Sequence, residues 1–136
     1  MAEGLLRARL AGHPGLSVGS AGLAALVGAP ADPTAQELLR VRGIDLAGHR
    51  ARQITPEMVA AHDLVLVMEK EHEWEVVDLV PEARGKVHRL GKFGGFDVPD
   101  PYRRPRAAFE EALALIERGL ADFEKVLLGG AGRGIR

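Results

Sequence analysis

The sequence predicts an α/β protein, a three-layer sandwich around a short, mostly parallel sheet. Short apolar runs alternate with amphipathic stretches along its length, the pattern of strands joined by helices. The run Leu64-Val65-Leu66-Val67-Met68 is apolar without a break, which marks a strand covered on both faces. Phe109, Ala112, Leu113, Ile116, Leu120 and Phe123 recur at helical spacing and define one long amphipathic helix begun by Pro105. At 136 residues the chain is one domain long enough to bury a sizeable core.

The elements follow in order. Residues 2–11 read as a helix with Ala2, Leu6 and Leu10 on one face and Leu5 close by, ended by His13-Pro14-Gly15. Leu16 to Ser20 is a short strand candidate that closes in Gly19-Ser20-Ala21-Gly22, where small residues permit close approach. Asp32-Pro33 supplies an N-cap and a first-turn proline, and Gly43 a stop; the helix between them buries Ala35, Leu38 and Leu39. Asp45 to Gln53 is a polar connector carrying His49, Arg50 and Arg52, and Thr55-Pro56 opens a short helix through Ala61. A helix from about Lys70 to Val80 turns Trp74 and Val77 inward and stops at Pro81; Val87 to Leu90 is a further strand.

Composition excludes several functions. A hydrophobic share of 46% with a net charge of −1 describes a folded chain, not a nucleic-acid binder or a disordered tail. No apolar run is long enough to span a bilayer, and the first residues lack a cleavable signal pattern. There is no cysteine, which excludes disulfides and thiolate metal sites and fits a cytoplasmic protein. His13, His49, His62, His72 and His88 lack metal-ligand spacing, so no metal and no cofactor are expected.

Candidate chemistry lies in Asp97-Val98-Pro99-Asp100-Pro101-Tyr102. Two prolines restrict the backbone around Asp100 and hold one carboxylate and one aromatic ring in fixed relation. An acid beside an aromatic platform suits protonation of a phenolic leaving group; by itself the hexapeptide also reads as a surface turn. In open α/β sheets ligands sit beyond the carboxyl ends of the strands, where Ser20, Met68 and the loop after Leu90 are expected.

Several stretches together resemble the low-molecular-weight protein-tyrosine phosphatases, in their bacterial branch associated with exopolysaccharide and capsule production. They are Met1-Ala2-Glu3-Gly4, Val18-Gly19-Ser20-Ala21-Gly22, Gly48-His49-Arg50-Ala51-Arg52-Gln53-Ile54, Asp63-Leu64-Val65-Leu66-Val67-Met68 and Asp100-Pro101-Tyr102. The resemblance implies hydrolysis of phosphotyrosine through a cysteinyl-phosphate, with Asp100 as general acid. It implies Tyr102 as the ring against the substrate phenyl group and Ser20 as a brace beneath the phosphate loop. Arg103 and Arg104 would favour acidic residues flanking the phosphotyrosine. The implied partner is a phosphotyrosine protein, such as a bacterial tyrosine kinase of polysaccharide export, with no nucleic acid and no membrane insertion.

The departure is equally specific. The family opens with a buried strand and a Cys-x5-Arg phosphate loop, and this sequence opens just after them. The implied domain, residues 1–125, is therefore N-terminally incomplete, with its first strand missing or replaced, and as written the chain is expected to be inactive. Three readings follow: an enzyme whose start lies at an internal methionine, a binding module for phosphotyrosine proteins, or a relative of the arsenate reductases, which share the fold but depend on cysteines that this sequence lacks. The remaining residues, 126–136, form a Gly-rich tail. Laid on the missing motif, Val126 to Leu128 falls on the strand, Gly130 on the nucleophile, Gly132 on the loop glycine and Arg136 on the phosphate-binding arginine. Otherwise the tail is of low complexity and Val126 to Leu128 finish the long helix.

Overall fold

Helices alternate with the two strands of a parallel pair in the computed structural model, which describes residues 1–13 and 15–129. In chain order the elements are α1 (Ala2–Arg9), α2 (Pro33–Arg40), α3 (Pro56–Ala60), β1 (Val65–Val67), α4 (Lys70–Leu79), a 3-10 helix (Pro81–Lys86), β2 (Val87–Arg89) and α5 (Arg106–Gly129). This is the α/β class expected. The residues gather into two compact units. Among the described residues, Met1–Ile54 and Pro101–Leu113 make the first; Thr55–Asp100 and residues 114–129 make the second.

Local chemistry accounts for the helices of the first unit. The Asp32 carboxylate accepts the Thr34 N–H at 2.8 Å, Pro33 opens α2, and Gly43 takes φ +76° beyond its end. Ala35, Leu38 and Leu39 are buried as expected. The buried side of α1 differs from the expectation: it holds Gly4 and Leu5, joined by Leu10 at the C-cap. A Cβ on Gly4 would stand 2.8 Å from Leu46 Cδ2, so close approach at the glycine orients the helix. Leu16 to Ser20 is not a strand. A strand needs a ladder, and among the described residues the first unit offers this stretch none. Its carbonyls instead accept from side chains, Val18 from Arg7 and Ser20 from Arg52, and Leu16 stays exposed. Pairing begins at Gly22, in a parallel bridge with Gln53.

In the second unit β1 and β2 run parallel, with Val65 opposite Val87, Leu66 opposite His88 and Val67 opposite Arg89. Parallel neighbours require a crossover, which α4 and the 3-10 helix supply. Thr55 Oγ1 accepts the Met58 N–H and so caps α3. Cover on β1 is less complete than expected: Val67 is buried, while Val65 and Leu66 are half-buried. The inward face of α4 also departs from the expectation. Val76 and Val80, four apart, point inward; Trp74, two residues from Val76 and so about 200° around the helix, is 61% exposed. Val77 is half-buried.

The long helix matches its periodicity. Phe109, Ala112 and Leu113 are buried in the first unit, and Ile116, Leu120 and Phe123 in the second. It continues through Gly129, so Val126, Leu127 and Leu128 are helical and the strand placement for them is wrong. Between Leu120 and Leu128 the good helix formers Ala121, Glu124, Lys125 and the leucines outnumber the strand formers Phe123 and Val126, which favours helix over strand. Gly130, Gly132 and Arg136 lie outside the described residues.

Gly119 lies against the backbone of Leu90: an added Cβ would be 2.9 Å from the Leu90 oxygen and 2.8 Å from its Cγ. Alanine should raise helix propensity by about 1 kcal/mol, yet this overpacking should outweigh it, costing about 1–3 kcal/mol. We expect Gly119→Ala to lower the urea midpoint; a raised midpoint would show that the contact yields freely.

Candidate active site

The acid loop is built in the second unit, from the end of β1 outward. Leu90 N–H donates to the Val67 carbonyl at 2.7 Å and Val98 N–H to the Met68 carbonyl at 2.9 Å. Between them the chain turns tightly: Phe96 N–H returns to the Gly91 carbonyl, and Gly95 takes φ +71°. A Cβ on Gly91 would collide with the Phe96 carbonyl, so the turn requires glycine there. Asp97 is held by Arg89 Nη1 at 2.9 Å, and the Val98 side chain is buried. Asp100 follows two residues later and is exposed to solvent.

Three carboxylates, Glu69, Glu71 and Asp97, bring ligand atoms within 4.8 Å of one another. Arg89 already partners Asp97, and Glu69 pairs with His72 as part of the capping box that opens α4. The trio thus serves the loop and the helix start.

Tyr102 belongs to the first unit and sits in a turn closed by Arg104 N–H to the Pro101 carbonyl. Arg103, the third residue of that turn, takes φ +61°, a region glycine usually fills. Its guanidinium lies over the Tyr102 ring, 5.2 Å from the centroid, and both side chains are exposed.

Ser20 lies in a cluster centred on a residue that sequence reasoning did not single out. Its hydroxyl donates to Glu3 Oε1 at 2.5 Å, at the first turn of α1. The same carboxylate meets Arg7 Nη1 at 3.1 Å and His49 Nδ1 at 3.8 Å. Arg52 donates to the Ser20 carbonyl from Nε and Nη2, at 3.2 and 3.1 Å. One acid thus ties the start of α1 to the 16–22 segment and to the polar connector. The legible signals were an acid in the first turn of a helix and an arginine four residues on. His49 and Arg52 lie more than forty residues away, and no local pattern joins them to Glu3.

These features stand on a fold shared with a class of small α/β phosphatases. Wzb of Vibrio vulnificus, solved in complex with benzylphosphonate, matches with a TM-score of 0.86 at 38% identity, over 93% of this chain and 88% of that one. The chain belongs to the low molecular weight phosphotyrosine protein phosphatase family, whose model matches residues 1–128. EpsP of Ralstonia nicotianae is 48% identical over 120 residues, covering 88% of this chain and 81% of that protein. The low molecular weight protein-tyrosine-phosphatase Wzb of Salmonella typhimurium is 42% identical over 122 residues, covering 89% and 82%.

Burial alone would raise the Glu3 carboxyl. The hydrogen bond from Ser20 and the charges of Arg7, His49 and Arg52 outweigh that and hold it below its ordinary 4.5. A folded-state value below the unfolded one stabilises the fold above about pH 4.5, and that stability is lost as pH falls through the lower folded value. We therefore expect the gap in urea midpoint between the native chain and Glu3→Gln to be full at pH 7 and to close in acid. A gap that stays constant down to pH 3 would remove Glu3 from this role.

Proposed function

We propose that this chain carries the acid and substrate-ring part of a protein-tyrosine phosphatase site. The observation behind the reading is that Asp100-Pro101-Tyr102, in a chain of this family, directly follows a loop pinned to the carboxyl end of β1. In the reaction a thiolate attacks phosphorus and the bond to the tyrosyl oxygen breaks. The electron pair goes to that oxygen, and the Asp100 carboxyl hands it a proton. The carboxylate left on Asp100 then takes a proton from the water that cleaves the cysteinyl-phosphate. Tyr102 would offer its ring to the substrate phenyl group. Ser20 would act as a brace, through Glu3, on the start of α1. The benzylphosphonate bound by Vibrio vulnificus Wzb carries the same pairing of aromatic ring and phosphorus oxyanion.

The sequence contains no cysteine. These residues therefore supply no thiolate, and we expect the chain by itself not to turn over. That same fact favours a second reading, in which the chain holds a phosphotyrosine protein without hydrolysing it. In either case the partner is a phosphotyrosine protein of the cytoplasm, with a tyrosine kinase of polysaccharide export a fitting candidate. No helix among the described residues is long and apolar enough to cross a membrane.

The test compares aryl phosphate hydrolysis by this chain and by a form extended with a strand and a Cys-x5-Arg loop. Losing a nucleophile costs on the order of a millionfold in comparable enzymes, so only the extended form should be active. In that form Asp100→Ala should slow turnover by about 10²–10⁴-fold. Turnover by the unextended chain, or an unchanged rate in Asp100→Ala, would overturn the assignment. Saturable binding of a phosphotyrosine peptide without turnover in either form would favour the binding module.

A further inference from the structure

The outer face of α4 is arranged against the interest of the helix itself. Trp74, Glu75, Asp78 and Leu79 are all exposed, at spacings that place them on one stripe, with Glu71 one turn earlier. Trp74, the single tryptophan of the chain, is 61% exposed and Leu79 42%. Glu75 stands four residues from Glu71 and three from Asp78, so like charges repel along the stripe. Asp78 also sits in the last turn, where the helix dipole disfavours an anion, and that turn holds no basic residue. Glu73, by contrast, points away and accepts the Arg89 N–H at 2.8 Å. Among the described residues no ion pair joins Glu75 or Asp78 to a cation.

We propose that this stripe is a docking surface for an arginine-bearing segment of another protein. A guanidinium stacked on the Trp74 ring gains a cation–π contact, and its planar fork suits Glu75 and Asp78 better than an ammonium does. A cation delivered there also completes the C-terminal end of α4, relieving the repulsion that the free chain tolerates. Leu79 provides an apolar edge for the stem of the incoming side chain. The assignment is independent of the phosphatase chemistry.

Because Trp74 is the only tryptophan, its emission reports the encounter in the full chain. The probe is a nine-residue peptide alternating arginine and alanine, with lysine and neutral citrulline versions as controls. We expect a saturable change in emission with the arginine peptide and weaker binding of the lysine one. The citrulline peptide, and the arginine peptide on Glu75→Gln/Asp78→Asn, should bind at least about 10-fold more weakly, since both remove the charge attraction. That variant should unfold at an equal or higher urea midpoint, so weaker binding would not reflect misfolding. Glu110→Gln/Glu111→Gln, an exposed acidic pair elsewhere, should bind as the native chain does. Equal binding by the Glu75/Asp78 variant would overturn the proposal, as would the absence of saturation. The same change with calcium or magnesium alone would make the stripe a cation site instead, and peptide-independent self-association quenched by the variant would make it a contact between copies.

Discussion

A backbone hydrogen bond from Val98 N–H to the Met68 carbonyl fixes where the acid loop begins. Its neighbours make it hard to move. Val98 is 2% exposed, so releasing the bond would expose an apolar side chain as well as two polar groups, and the Arg89–Asp97 pair holds the preceding residue. Beyond Val98 the two prolines leave little backbone freedom before Tyr102. Asp100 thus emerges at a set distance from the carboxyl end of a parallel strand, where α/β folds place their chemistry. The tight turn at Gly91 to Phe96 lets the loop return to that point within a few residues of β2.

In the first unit the organising group is a carboxylate. Glu3 meets the Ser20 hydroxyl, the Arg7 guanidinium and the His49 ring, and Arg52 supports the same hydroxyl residue through its carbonyl. These partners meet the carboxylate from several sides, which makes the partial burial of the acid tolerable. One consequence concerns Ser20: its proton is committed to Glu3, so its part is to position α1 and the segment around Gly19 to Gly22.

What the sequence revealed was local. Asp32, Thr55 and the long helix were legible because caps act over three residues and a helical period is sustained for about four turns from Phe109 to Phe123. Leu16 to Ser20 was misassigned because a short alternation such as Leu16-Ser17-Val18 says nothing about whether a partner lies beside it. Trp74 was turned inward because hydrophobicity was weighed without the helical phase set by Val76 and Val80. The Glu3 cluster escaped because its members come from three distant segments. Asp100 and Tyr102 were singled out through family resemblance, since the hexapeptide alone reads more readily as a surface turn.

The central claim is that Asp100 hands its proton to the departing oxygen. The most direct measurement is turnover of a series of aryl phosphates by the thiolate-bearing form, with phenols running from strongly acidic to tyrosine-like. With Asp100 intact the rate should depend little on the phenol, and with Asp100→Asn it should fall steeply as the leaving group becomes more basic. An equal loss across the whole series would mean that Asp100 shapes the loop and does not act as the acid.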